Sequence, residues 1–545
     1  MPDQFTYRSQ VLDHLGLVAG RFDELGMGDV IDQVTHQNPE MRDLTPGEAV
    51  KALVLNGRGL INQARYLGPR FFQSQPTSRL LSPRVAPDQL NDEARGRTSD
   101  TLYAYGVTEL YRLTAATAAE RLGLTPRVAQ LESTRVHVEG RDNRDEAPEG
   151  QGIPITRGSS RAHRPDLQHV LLGLSVEHQA GIPILRQPRS GNRSDAQTLG
   201  QVIRAHLEPW PTTSGVTSVV ADRALYSAAN LQQLAQTARK GSTRVPATVR
   251  EAQAALAQGD LQALASRQAG DRDHEVTSTS GGMAQRWGLI DSGPRQPQAQ
   301  RTVDRQLRQP SDQEGNARKT LGSSTFACEA AARQALASCE QDVQATCLSA
   351  RSRRATPRSG LRGRPRHGTP PAQLVYQIDA AVASSLTTRQ ARSDRQRRFL
   401  RAPNELDHTQ LPPQEVWAGD KGQGQAARGV RLLKDPQLLA ASRYLKKPER
   451  MRALRMGMTV CRLVDAALEY RLRQARKDHE ATVPDHQGQR IHHPTARWVL
   501  QYFVGLHWRC QAGPWPLVRH LTEEQQHLLR LLGTPYRQFY AVRDS

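Results

Sequence analysis

Aromatic side chains are scarce in this sequence, at 5% of 545 residues, and all apolar residues together reach only 37%. A chain so composed has little material for one large core. It is better matched to several modest cores and extended polar surface. Cysteine is also sparse. Cys328, Cys339, Cys347, Cys461 and Cys510 are the five, and none stands in a CxxC pair. That spacing argues against a thiolate zinc site and against a disulfide framework, and it suits a reducing cytosol. Long apolar runs are missing. The one near 453–470 is interrupted by Arg455, Arg462 and Asp465, so no membrane span is read there. The opening residues Met1-Pro2-Asp3-Gln4 have no charged start followed by an apolar segment, so no secretory signal is read either.

What the chain has in abundance is positive charge. Lysine and arginine number 74 against 54 acids, a net charge of +20, and the isoelectric point is near 10.3. Arginine supplies most of the excess. Its planar fork pairs with phosphate oxygens two at a time, so a polyanion partner is favoured over a merely solvated basic surface. The length allows roughly three to four domains.

In chain order, residues 1–115 read as helical. Leu12, Leu15, Val18 and Ala19 fit one face, a second helix opens at Pro46, and a third opens at Leu90-Asn91-Asp92-Glu93 and reaches Tyr103. From about 126 the apolar period changes to two. Val128–Leu131 leads to Glu132, and Thr134–Val138 alternates after it; Leu167–Val176 and Ile182–Arg186 are the next expected strands, joined by the turn Glu177–Gly181. A helix is expected over Asp195–Leu207. Val216–Ala221 is then a short strand ending in a lone carboxylate, Asp222, with a helix capped by Ser227 behind it. The expected fold class is therefore α/β, a mixed sheet with flanking helices and an N-terminal helical domain. Residues 249–395 lack clear apolar periodicity and are expected to be an insertion, with helices over Arg250–Ala265 and Glu329–Thr346. The Pro/Gly/Arg run 351–372 reads as a flexible basic linker, with a phosphate backbone as a second possibility for it. The first sheet segment then covers 126–248. A second segment, 396–515, carries a short strand at Arg398–Ala402, a helix from Pro412 to about Lys434, a long helix over Pro448–His479 and another over Pro494–Trp508. Residues 516–545 form a tail.

Two acids follow apolar runs and are expected at strand ends: Glu132 after Leu131, at the end of the first strand, and Asp222 after Ala221, at the end of the fourth. Strand ends facing a crevice are where open α/β sheets place their chemistry. Adjacent strands lie about 5 Å apart, so two such carboxylates can share one hard cation. For Asp222 alone, a strand-end turn is the blander reading. His163, Arg164 and Asp166 read first as a turn shaped by Pro165, and second as phosphate contacts. Arg455, Arg462 and Asp465 read as a DNA-facing stripe, as an Arg462–Asp465 pair on a solvated face, or as unselected change.

Several segments, in order, resemble the DDE transposases of bacterial insertion sequences: Leu131-Glu132-Ser133-Thr134, His163-Arg164-Pro165-Asp166-Leu167, Ser190-Gly191-Asn192 with Asp195, Val220-Ala221-Asp222 with Leu225-Tyr226, and Lys421-Gly422-Gln423 with Arg428-Gly429 and Leu433-Lys434-Asp435-Pro436. The resemblance spans roughly 85–480 and implies an RNase H-like catalytic fold. It also implies Mg2+ or Mn2+ as cofactor, and double-stranded DNA, the ends of a mobile element, as partner, with a homo-oligomer assembled on it. Asp222 matches the family's second catalytic acid. Glu132 stands where the family has Asp, and Ala427 where it has Glu. Asp420 replaces a Tyr, and Lys434 keeps a Lys. The resemblance makes Glu132 and Asp222 the catalytic and metal-binding residues, and Lys434, Arg428 and Arg164 DNA contacts. Asp420 is seven residues from Ala427, roughly 10 Å along a helix, and cannot stand in for the missing acid. The expectation is a transposase by descent with impaired cleavage, in a bacterial cytoplasm close to the nucleoid. The alternative is a DNA-binding protein without enzymatic activity.

Overall fold

The computed structural model describes residues 8–35, 44–58, 68–138, 156–157, 168–190, 200, 216–235, 240–258, 265–266, 271–279, 284–341, 345–358, 367, 370, 373–412, 447–485, 487–491, 494–510, 517–519 and 521–540. The expected helices Asp195–Leu207 and Pro412–Lys434 lie outside these residues. The chain is a mixed α/β protein that divides into two units: Met1–Thr243 with Pro403–Ser545, and Arg244–Ala402.

The first unit opens with strand β1 (Arg8–Val11), which pairs antiparallel with His507–Cys510; that strand in turn pairs with Leu517–Arg519. Among the described residues these α-helices follow: α1 (Leu15–Glu24), α2 (Met27–Val34), α3 (Pro46–Arg58), α4 (Gly68–Gln73), α5 (Thr77–Leu80), α6 (Asp92–Tyr105) and α7 (Val107–Arg121). Their starts carry the expected chemistry. The Thr45 hydroxyl accepts from the Glu48 amide while the Glu48 carboxylate accepts from the Thr45 amide, a reciprocal cap ahead of α3. The Asn91 side chain accepts from the Ala94 amide and caps α6. α1 lies close to the helix Thr534–Tyr540, and small residues one turn apart permit it. A Cβ on Gly16 would stand 2.7 Å from the Tyr540 ring, and one on Gly20 2.6 Å from the Pro535 carbonyl oxygen. The Tyr540 hydroxyl donates to the Asp13 carbonyl at 2.7 Å.

The sheet of this unit is built from β2 (Val128–Val138), β3 (Thr156–Arg157), β4 (Gln168–Glu177), β5 (Pro183–Ser190), β6 (Ser218–Ala221) and β7 (Lys240–Arg244). β5 pairs antiparallel with β4, and β4 antiparallel with β2. β2 runs parallel to β6, and β6 parallel to β7. β3 pairs only with the first residues of β4. Between β4 and β5 the buried Glu177 carboxylate accepts amides from Gln179, Ala180 and Ile182, which closes the turn.

The long helix Pro448–Asp478 joins these parts. Its Met456, Val460, Leu463, Val464 and Ala467 share one core with Phe22, Val54 and Leu110 of the N-terminal helices, with Leu131 and Ala221 of the sheet, and with Phe503 and Tyr540. Asp465 corrects both the solvated-face reading and the DNA-stripe reading. It is 8% exposed and pairs with Arg58 of α3 at 2.8 Å, while Arg462 donates instead to the Gly181 carbonyl. The expected helix over Pro494–Trp508 is shorter, Ala496–Tyr502, and its continuation is a strand.

Among the described residues the second unit holds antiparallel strands in the order Arg398–Pro403, Gln285–Asp291, Arg272–Ser278, Ala265–Ser266. It also holds helices Arg250–Gln258, Gln296–Ser323, Glu329–Gln341 and Leu386–Arg397. The basic run read as a linker begins inside a hairpin, Thr346–Arg358 against Gln373–Ser384. Arg351, Arg353, Arg354 and Arg358 are strand residues. The Glu314 carboxylate fixes the base of this hairpin through the Ala345 and Thr346 amides and the Thr346 hydroxyl.

His14 gives this fold a pH signature. The ring is 2% exposed, its Nε2 meets the Arg58 carbonyl at 2.7 Å, and burial pushes its pKa down to about 4. The unfolded imidazole takes up its proton near 6.5 and the folded one near 4. Stability is therefore full above pH 6.5 and falls as pH drops towards 4. A His14→Gln variant keeps a donor and does not titrate. Its stability deficit against wild type, read from urea midpoints, should shrink by roughly 2 kcal/mol between pH 7 and pH 5. An unchanged gap would contradict the buried neutral ring.

Candidate functional site

The site is set by the register of β2 against β6. Val128, Ala129, Gln130 and Leu131 stand opposite Ser218, Val219, Val220 and Ala221. In a strand, alternate residues face opposite sides. Ala129, Leu131, Val219 and Ala221 lie in the core shared with the helices. Gln130 and Val220 are buried on the other side, and one step further along that same side stand Glu132 and Asp222. Parallel strands in register keep neighbours abreast, so the two acids stand side by side on adjacent strands, about 5 Å apart at the backbone. Both are half-buried.

One expectation is corrected. Glu132 is not at the end of its strand: β2 continues to Val138 because β4 pairs with it throughout, with Leu174 opposite Glu132. The end belongs to β6. There Asp222 has an extended backbone and opens a single turn, Arg223–Leu225. Its carbonyl accepts from the Leu225 amide at 3.0 Å and from the Thr243 hydroxyl of β7 at 3.0 Å. The helix Ala228–Ala235 follows, with the Ser227 hydroxyl accepting from the Asn230 amide. The backbone under Asp222 is thus held from both sides, and its carboxylate makes no helix-cap bond. Arg223 is exposed.

Sequence reasoning passed over the polar floor beneath these acids. Val220 is opposite Ser242 of β7, so Gln130, Ser242, Glu132 and Asp222 share one side. The Gln130 amide and the Ser242 hydroxyl are buried without hydrogen-bond partners. Period-two spacing marks Gln130 as a companion of Glu132. Nothing in the Lys240–Arg244 sequence, short and polar, announces a core strand.

A divalent hard cation such as Mg2+ is held by one or two carboxylates and keeps several waters. Glu132 and Asp222, abreast on one face, fit that donor set for one ion. Among the described residues no cluster of three or more His, Cys, Asp or Glu is placed to hold a metal. Ala427, where the resembling family has its third acid, lies outside the described residues, as do Lys434, Arg428 and Arg164. Whatever its position, the alanine side chain offers no oxygen ligand.

Residues 7–116 match the family described as domain of unknown function DUF4277. No curated protein matches the chain. A chain from a piggyBac transposase synaptic complex with hairpin DNA aligns over 96% of this chain and 91% of its own length, at 10% identity and a TM-score of 0.30. A likeness at that level carries no argument about fold or function. Among the described residues no helix is long and apolar enough to cross a membrane.

The buried Gln130 amide generates a stability prediction. Burying an unbonded amide costs on the order of 1–3 kcal/mol, so a Gln130→Met variant should be as stable as wild type or more so in a denaturant melt. A loss above about 1 kcal/mol would show that the amide has a partner worth keeping.

Proposed function

We propose that the chain is a DNA transposase of the bacterial insertion-sequence type by descent, with an RNase H-like catalytic sheet and impaired strand cleavage. The single observation that carries this reading is the register that stands Glu132 beside Asp222 on parallel strands. The ordered segments of family resemblance support it. So does a strand order in which three antiparallel strands, β5, β4 and β2, continue into parallel β6 and β7. The net charge of +20 suits a DNA partner bound mainly through phosphates.

In this reading Glu132 and Asp222 hold one Mg2+ or Mn2+. The ion, when bound, supplies Lewis-acid polarisation of a DNA phosphate and lowers the pKa of an attacking water or hydroxyl. The chain's own part is positional. The Thr243 hydroxyl and the Arg223–Leu225 turn fix the Asp222 backbone, and Glu132 rides on a strand paired on both edges. Glu132 carries one methylene more than the family's Asp, which moves its oxygens by more than 1 Å. Misplacement of about 1 Å can cost on the order of 100-fold in rate. Ala427 removes the side chain that would complete a second ion's sphere. Lys434, Arg428 and Arg164 are assigned to DNA phosphates, and the active assembly is a homo-oligomer on the ends of a mobile element. The vacancy at Ala427 also favours the second reading, a DNA-binding protein without enzymatic activity.

Plasmid cleavage in Mg2+ and in Mn2+ tests both. The wild-type chain should bind element-end DNA with an affinity that falls steeply with salt, and nick it barely or not at all. Ala427→Glu should raise nicking on the order of 100-fold, and a further Asp222→Asn change should abolish the gain. Clear nicking by wild type, as strong as that of Ala427→Glu, would remove the impairment. No detectable nicking by either chain, nor by Ala427→Glu combined with Glu132→Asp, would leave the non-enzymatic reading.

A further inference from the structure

A second cluster of charge lies in the first unit, and the proposed chemistry does not use it. Arg186, on β5, is 0% exposed, and its Nε, Nη1 and Nη2 are all without a hydrogen-bond partner. Arg452 and Arg455 stand three residues apart on one face of the helix Pro448–Asp478. Each has a buried Nη2 that also lacks a partner. The three guanidinium groups lie within electrostatic reach of one another. Burial, and then the charge of Arg452, push Arg186 down to about 10; burial, and then the charges of Arg186 and Arg452, push Arg455 down to about 10.

Among the described residues no carboxylate is paired with the group. The acids along the same helix are engaged elsewhere. Asp465 pairs with Arg58, Glu469 with Arg473, and Asp100 of α6 takes both arms of Arg450. The other polar neighbours are spent as well. The Tyr111 hydroxyl donates to the Pro183 carbonyl at 2.6 Å, and Arg452 Nη1 donates to the Tyr103 hydroxyl at 3.1 Å. Three like charges in low dielectric, with five unsatisfied donor nitrogens, cost far more than the fold needs to spend unless an anion sits among them.

We propose that Arg186, Arg452 and Arg455 form a binding site for one small tetrahedral oxyanion, of the phosphate or sulfate class, between β5 and the long helix. Guanidinium forks match the tetrahedral oxygens two at a time. The complete burial of Arg186 selects a free ion over a backbone phosphate of DNA, since a duplex cannot reach a side chain with no exposed surface. The bound ion locks the β5 edge of the sheet onto the long helix. The site would therefore act as a structural clamp, independent of the two acids.

The test uses the full chain with inorganic phosphate as the probe. Equilibrium dialysis with labelled phosphate should give one saturable site per chain. Thermal melts at fixed ionic strength should show Tm rising by a few degrees as phosphate replaces chloride. Arg186→Met should abolish saturable uptake and the phosphate-dependent part of Tm while still folding, because a methionine fills the space without a charge. Arg455→Gln should keep the fold and weaken phosphate roughly 10- to 100-fold. Absence of saturable uptake by wild type, or equal uptake by wild type and Arg186→Met, would overturn the site. Loss of phosphate uptake when a short DNA duplex is added would overturn the assignment to a free ion.

Discussion

The pairing of Val128–Leu131 with Ser218–Ala221 is the constraint on which the candidate site depends. Parallel strands in register carry their side chains abreast, and burial fixes that register firmly. Ala129, Leu131, Val219 and Ala221 must all face the helices, and a slip by one residue would turn each of them outward. The apolar side of the sheet thereby decides where the polar side puts its acids. Glu132 and Asp222 are neighbours because Leu131 and Ala221 are core residues. The site's geometry is a by-product of packing, and it survives substitutions in the acids themselves.

The same unit shows how buried charge is accommodated and where it is not. Arg58 and Asp465 form a pair that is nearly closed to solvent, and such pairs hold only while both partners are present. Asp291 of the second unit is similarly buried and is met by both Arg397 and Arg272. Against these matched groups, the Arg186, Arg452 and Arg455 cluster stands apart, since among the described residues no carboxylate is paired with it. A low-aromatic, arginine-rich chain builds its interior with charged side chains more often than a typical core would, so electrostatic matching decides more of its stability.

Much of the sheet was legible because period-two alternation is a direct consequence of pleating: β2, β4 and β5 follow from it, with the turn at Glu177 between the last two, and β6 shows as a short β-branched apolar run. The N-terminal helices announced themselves through Pro46 and Asn91, whose capping chemistry is local. The second unit was not legible in the same way. The helix Gln296–Ser323 buries only Ala299, Val303 and Leu307, too few to mark a period, and it tolerates Pro310 in its interior. The hairpin Thr346–Arg358 with Gln373–Ser384 is stabilised by its backbone ladder and by Glu314, far away in sequence, so its arginines looked like a linker. Asp465 misled for a related reason. A charge on a helix reads as a solvent face unless its partner is known, and that partner, Arg58, lies hundreds of residues away. Lys434, Arg428 and Arg164 lie outside the described residues, so the DNA contacts assigned to them rest on family resemblance.

The most direct test of the account is a crystal of the full chain soaked in Mn2+, read by its anomalous difference map. One peak is expected between the carboxylates of Glu132 and Asp222, lost in an Asp222→Asn crystal. A peak bound elsewhere, or side chains of residues 132 and 222 on opposite faces of the sheet, would contradict it.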